Sequence, residues 1–133
     1  MKAISAKITA GLNLGAELIV ADNSGGKIAR LVSVKRGKGK KGRQGYAKIA
    51  DKIKVSIKKG DPEMKGKIFD AIIIRQKKTY RRKNGERVGF EDNAVAILKD
   101  EKANPKGTRI KGPVAREVME RWPSVARIAS FVY

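Results

Sequence analysis

Histidine and cysteine are both absent from this 133-residue chain. Without cysteine there is no disulfide scaffold and no thiolate metal site. Without histidine the commonest general base and the commonest metal ligand are missing. Aromatic residues number only seven: Tyr46, Phe69, Tyr80, Phe90, Trp122, Phe131 and Tyr133. That is a thin supply for a binder that stacks successive bases on aromatic platforms, the more so with Phe69, Phe90 and Trp122 assigned to the core. The acids are scarce and scattered. Glu91-Asp92 and Asp100-Glu101 are adjacent pairs, which point apart on a strand, and Asp61 and Glu63 flank a proline turn. Nothing converges in the way a two-metal nuclease requires. No apolar run approaches the ~18 residues of a membrane span, and Met1 to Lys7 lacks the apolar stretch of a signal peptide. The expectation is a soluble, intracellular, folded domain over 1–133, with no membrane partner, catalytic residue, bound metal or cofactor.

What is abundant is positive charge: 32 Lys+Arg against 13 Asp+Glu, a formal +19. It is concentrated. Residues 1–34 carry +2 (4 − 2), residues 35–87 carry +15 (20 − 5) and residues 88–133 carry +2 (8 − 6). A solubilising surface mixes signs along the chain. A block of this size repels itself in the compact state and is relieved by a polyanion, of which nucleic acid is the obvious one.

Apolar residues alternate with polar ones in several short runs, the period of a half-buried strand. The clearest are Ile4-Ala6-Ile8 and Ile53-Val55-Ile57, the latter with lysines 52, 54 and 58 on its other face, and Glu17 to Ala21 and Lys27 to Val34 read as two more strands. Ala71 to Ile74 and Ala94 to Leu98 read as buried strands. Asp22-Asn23-Ser24-Gly25-Gly26 is a turn, and Asn84-Gly85 is a strong hairpin signal, with a return arm over Glu86 to Phe90. Val114, Val118 and Trp122 recur every four residues, Glu117 and Arg121 stand at i,i+4, and Pro113 sits at a first helical position. Helices are therefore expected over 112–130, broken at Pro123. Five or more strands with frequent turns point to a small barrel capped by helix.

Two segments carry the candidate binding chemistry. In the first, Lys35, Arg36, Lys38, Lys40, Lys41 and Arg43 are interleaved with Gly37, Gly39, Gly42 and Gly45, so the backbone can approach a phosphodiester that the cations neutralise. Its G-x-G-x-x-G spacing is not followed by a helix, as a dinucleotide site requires, and Arg43-Gln44 breaks a Walker A loop. In the second, Arg75, Lys77, Lys78, Arg81, Arg82, Lys83 and Arg87 lie along the 75–90 hairpin, expected as a projecting ribbon that tracks a groove. Tyr80 can either stack on a base or cover the ribbon's own apolar side. The sparse aromatics favour folded RNA read through backbone and shape. A free-standing nucleic-acid-binding module of OB type is the alternative.

Three blocks then carry a resemblance. Ala21-Asp22-Asn23-Ser24-Gly25 is the first. The second is Ala71-Ile72-Ile73-Ile74 with Asn84-Gly85, Phe90 and Asn93 at fixed spacing. The third is Gly107-Thr108-Arg109-Ile110 with Gly112-Pro113-Val114-Ala115-Arg116-Glu117. Together they resemble the universal large-subunit ribosomal protein fourteen family over nearly the whole chain, with Ala96 where the family usually has valine. Tyr80-Arg81-Arg82-Lys83, Phe90-Glu91-Asp92-Asn93 and Trp122-Pro123 are similar to its archaeal and eukaryotic branch. The resemblance implies a mainly β fold: a small five-stranded antiparallel β-barrel, a projecting β-ribbon and short C-terminal helices. It implies a structural, non-enzymatic role in the large subunit, in the cytoplasm, with large-subunit rRNA as partner and intersubunit bridges to small-subunit rRNA. It further implies ribosomal proteins three and twenty-four as neighbours, and an anti-association factor docking at a C-terminal surface that includes Thr108 and Arg109.

Overall fold

The computed structural model describes residues 8–34, 45–100, 102 and 104–133. The elements run in the order β1 (Leu12–Asn13), β2 (Glu17–Val20), β3 (Gly26–Val34), β4 (Tyr46–Ala47), β5 (Lys52–Gly60), β6 (Ile68–Arg75), β7 (Tyr80–Arg81), β8 (Arg87–Val88), β9 (Ala94–Ile97), β10 (Ile110–Val114), α1 (Arg116–Arg121), α2 (Pro123–Ala126) and β11 (Ala129–Val132). The alternation expected over 4–8 lies outside the described residues except at Ile8.

Strands β2, β3, β5, β6 and β9 close into a barrel in that order. Each consecutive pair is antiparallel, and the closing pair, β2 with β9, is parallel. The parity of the ring dictates this: when five strands alternate in direction around a circle, the first and last must point the same way. The expected five-stranded antiparallel barrel is thus present, with this one parallel seam where it closes. Leu18, Val20, Ala29, Leu31, Ile53, Val55, Ile57, Ala71, Ile73, Val95 and Ile97 fill the inside. On β5 these alternate with exposed Lys54 and Lys58, the pattern seen in the sequence.

Strands β6 and β9 are different. Residues Ala71–Arg75 and all of β9 are buried on both faces. Their second face carries Ile72, Ile74, Ala94 and Ala96, under a layer made of Tyr80, Val88, Ile110, Val114, Val118 and Val125. That is why these runs are continuously apolar instead of alternating. At roughly 1.5–3 kcal/mol for each fully buried aliphatic side chain, this outer layer contributes on the scale of the barrel interior.

The C-terminal region is less helical than its periodicity suggests. Pro113 lies in β10, not at a helix start, and α1 is six residues long with Ala115 as an N-cap that makes no side-chain bond. So short a helix is marginal by itself. It is held by buried Val118 and by the Ala115 amide donating to the Ile74 carbonyl at 3.0 Å. Pro123 does open α2, but the chain then leaves the helix and pairs parallel to β10 as β11. The expected Glu117–Arg121 pair does not form. Arg121 bonds Asp51 at 3.1 Å, while Glu117 turns to the hairpin. An i,i+4 pair is worth only about 0.2–0.5 kcal/mol, little against a buried alternative.

Candidate nucleic-acid interface

The ribbon expected over 75–90 pairs only through Tyr80↔Val88 and Arg81↔Arg87. A loop of Lys83, Asn84 and Gly85 joins the arms, with the Arg82 amide bonded to the Glu86 carbonyl at 2.8 Å. The hairpin lies down on α1, because its alternate residues are needed there. Tyr80 is fully buried, which removes base stacking, and its hydroxyl donates to Glu117 Oε2 at 2.9 Å. Burial and that carboxylate both push the phenol's pKa upward, so it stays a neutral donor.

Two of the seven hairpin cations are consumed internally. Arg82 is 8% exposed, places Nε on Glu117 Oε1 at 2.7 Å and donates Nη1 to the Tyr133 carbonyl at 2.7 Å. Arg75 is 7% exposed and forks onto Asp92 at 2.7 and 3.2 Å. Its Nη1 also donates to the Lys111 and Pro113 carbonyls, at 2.8 and 3.1 Å. A bulge between Ile73 and Arg75 turns Arg75 from the barrel-facing series toward β10. Gly112 makes room: it has φ +78°, and a Cβ there would lie 2.5 Å from Arg75 Nη1. The proline after it sits in a strand whose carbonyls are already spoken for.

The other five, Lys77, Lys78, Arg81, Lys83 and Arg87, are exposed. Arg81 and Arg87 stand directly opposite each other across the hairpin. Like charges so placed destabilise a strand pair, and neither has an ion-pair partner among the described residues. Lys35, Arg36, Lys38, Lys40, Lys41 and Arg43 lie outside the described residues. The chain that follows them is anchored beside the hairpin root. Buried Gln76 accepts from the Ile49 amide at 3.1 Å and donates to the Thr9 and Lys78 carbonyls at 2.7 and 3.0 Å. Farther round the barrel, exposed Arg30, Lys54, Lys58 and Lys59 extend the cationic surface.

Thr108 and Arg109 are exposed, on a segment stapled by Asn23. Asn23 Oδ1 accepts from the Thr108 and Arg109 amides at 2.7 and 3.2 Å, and its Nδ2 donates to Thr108 Oγ1 at 2.8 Å. Asp22, next to it, accepts from the Ile97 amide at 2.8 Å and the Ser24 hydroxyl at 2.6 Å. The Asp-Asn-Ser turn therefore ties the barrel rim to the 107–110 segment. Sequence reading missed this staple, although an adjacent Asp-Asn in a turn, two groups that bond backbone amides, was the available signal.

The sequence profile of the ribosomal protein L14p/L23e family matches residues 11–133. The chain belongs to this family. It is a structural protein of the ribosome, in the cytoplasm, and not an enzyme. Relatives named large ribosomal subunit protein uL14 share 54% identity in Nanoarchaeum equitans, 51% in Methanothrix thermoacetophila and 45% in Haloarcula marismortui. In each case the match spans 132 residues, 99% of both chains. In this L14p/L23e member, the three blocks that carry the resemblance hold the Asn23 staple, the doubly buried β6 with its hairpin, and the Arg75–Gly112 fit.

Proposed function

We propose that the chain is built into the large ribosomal subunit, where it binds rRNA through a two-part cationic face. One part is the 35–43 segment, with Lys35, Arg36, Lys38, Lys40, Lys41 and Arg43. The other is the exposed row Lys77, Lys78, Arg81, Lys83 and Arg87. The observation that carries this is the Arg81–Arg87 opposition, a like-charge pair without a counter-ion among the described residues, which a phosphodiester would relieve. Gln76 supports it by tying Ile49, downstream of the first segment in sequence, to Lys78 of the second. Arg75 and Arg82 are outside this face, since their guanidinium groups are occupied within the fold. Bridges to small-subunit rRNA, contacts with ribosomal proteins three and twenty-four, and docking of an anti-association factor near Thr108 and Arg109 belong to the same reading.

The test is the salt dependence of rRNA binding. Neutralising Arg81, Lys83 and Arg87 together should flatten log K against log salt by about 0.7–0.9 for each phosphate left without its cation. Arg82→Met should leave the slope where it is. An unchanged slope in the triple variant would refute the ribbon's role. Sedimentation of the native chain away from large subunits would refute the placement.

A further inference from the structure

A groove of about 680 Å³ runs between β10–β11 and the 89–92 segment. Its rings are Phe90, Phe131 and Tyr133, with Phe90 edge-on to Tyr133 at 6.3 Å between centroids. Phe131 is 58% exposed and Tyr133 is 54% exposed, so two neighbouring rings present much of their surface to solvent. Contiguous exposed apolar area of this kind marks a contact site, and pockets of this volume are ordinary ligand sites.

Charge decides what fits. The groove's four ionised side chains are Arg75, Lys111, Glu91 and Asp92, a sum of zero on a chain whose side chains sum to +19. Arg75 and Asp92 neutralise each other, which leaves Lys111 and Glu91 open to a ligand. A phosphodiester would meet Lys111 but would also face the Glu91 carboxylate, which repels it. An extended peptide satisfies both. Its cationic side chain meets Glu91, its carbonyls meet Lys111, and a bulky apolar side chain lies against the rings. We propose that this groove takes an extended segment of a neighbouring protein, with a large apolar side chain on Phe131 and Tyr133 and an adjacent lysine or arginine on Glu91. The inference deepens the ribosomal reading above and rests on it.

The experiment uses the full chain carrying a photoreactive benzoyl group on the Phe131 ring, assembled in cells and irradiated in purified large subunits. The cross-linked species is identified by mass spectrometry. The expected product is a peptide with Lys or Arg within two residues of the cross-link. Glu91→Lys, at an exposed position without an ion-pair partner among the described residues, should lower its yield at least tenfold while leaving cosedimentation unchanged. A cross-link to rRNA, to a second copy of this chain, or to a peptide lacking a nearby cation would overturn the inference, as would no cross-link at all. Sedimentation of the unmodified chain reads the ribosomal placement separately. Absence from large subunits sinks that placement and this inference with it, whereas presence with an RNA cross-link sinks only the groove's assignment.

Discussion

Glu117→Ala probes the junction that holds the hairpin to the outer layer. The Glu117 carboxylate accepts from the Tyr80 hydroxyl at 2.9 Å and from Arg82 at 2.7 and 3.4 Å. Removing it leaves a guanidinium on a side chain with 8% exposure, with only the Tyr133 carbonyl and the Tyr80 oxygen to accept from it. Breaking a buried ion pair from one side costs about 3–5 kcal/mol. Glu117 is 17% exposed and the Tyr133 hydrogen bond survives, which places this case near the low end, about 3 kcal/mol. With a urea slope of about 2 kcal/mol/M for a domain of this size, the midpoint should fall by about 1.5 M. The opposite truncation is milder. In Arg82→Met the carboxylate keeps the Tyr80 hydrogen bond and some water, and methionine retains the stem's packing, so the cost is about 1 kcal/mol. The two losses should not add, because both remove the same ion pair. A Glu117→Ala loss below about 1 kcal/mol at an unchanged slope would refute an inward, structural Arg82, and a larger loss from Arg82→Met would refute the claim that the stranded guanidinium carries the greater cost.

Three more outcomes can be checked by similar means. Gly112→Ala should cost about 2–3 kcal/mol by combining positive φ with a clash on Arg75, whereas Gly66→Ala, at φ +82° with open space around it, should cost only about 1 kcal/mol. Equal losses in thermal unfolding would remove the clash from the account. Ala50 holds φ +65° with its carbonyl accepting from Trp122 Nε1 at 2.7 Å, and its methyl is buried. In Ala50→Gly about 1 kcal/mol of relieved strain and about 0.8 kcal/mol of lost burial should therefore nearly cancel, and a loss above about 1.5 kcal/mol would mean that the left-handed turn is not strained. In a carboxyl-carbon NMR titration, Asp22 should titrate above the ordinary 3.8 because burial outweighs its hydrogen bonds from Ser24 and Ile97, and Asp100 below it because Asn104 and nearby amides bond its charged form. The signs follow. Asp100 stabilises the fold above its unfolded value and loses that contribution as pH falls through its lower folded one. The Asp22 penalty is absent in acid and grows as pH rises through the unfolded value, becoming complete above the raised one. The reverse order of midpoints would contradict both.

Much of the barrel was legible because each inner strand writes its burial locally. Ile53, Val55 and Ile57 alternate with lysines, and period two is all that a one-sided strand needs. The continuous apolar runs at Ala71–Ile74 and Ala94–Leu98 announced burial but not what covers the second face, since a covering layer lies far away in sequence. The helix periodicity over 114–122 was real but overextended. It could not show that the carbonyls of Lys111 and Pro113 are bonded to Arg75 and that residues 129–132 return as a strand. The candidate site divides in the same way. An arginine reads as a surface cation until its partner is known, and the partners of Arg75 and Arg82 stand 17 and 35 residues away. Alternation did hold a hint, for Tyr80 and Arg82 share a face that Arg81 and Lys83 do not.

The sequence by itself determined the charge and its location, the strand set, the hairpin turn and the absence of thiol and imidazole chemistry, because these are properties of residues and their near neighbours. Only the tertiary structure decided that the barrel closes through one parallel seam, that the hairpin lies on α1, and which cations remain available to a polyanion. Those outcomes depend on pairings across the chain, where a buried guanidinium must find a carboxylate or carbonyl. Residue type made seven hairpin cations equivalent, and burial reduced them to five.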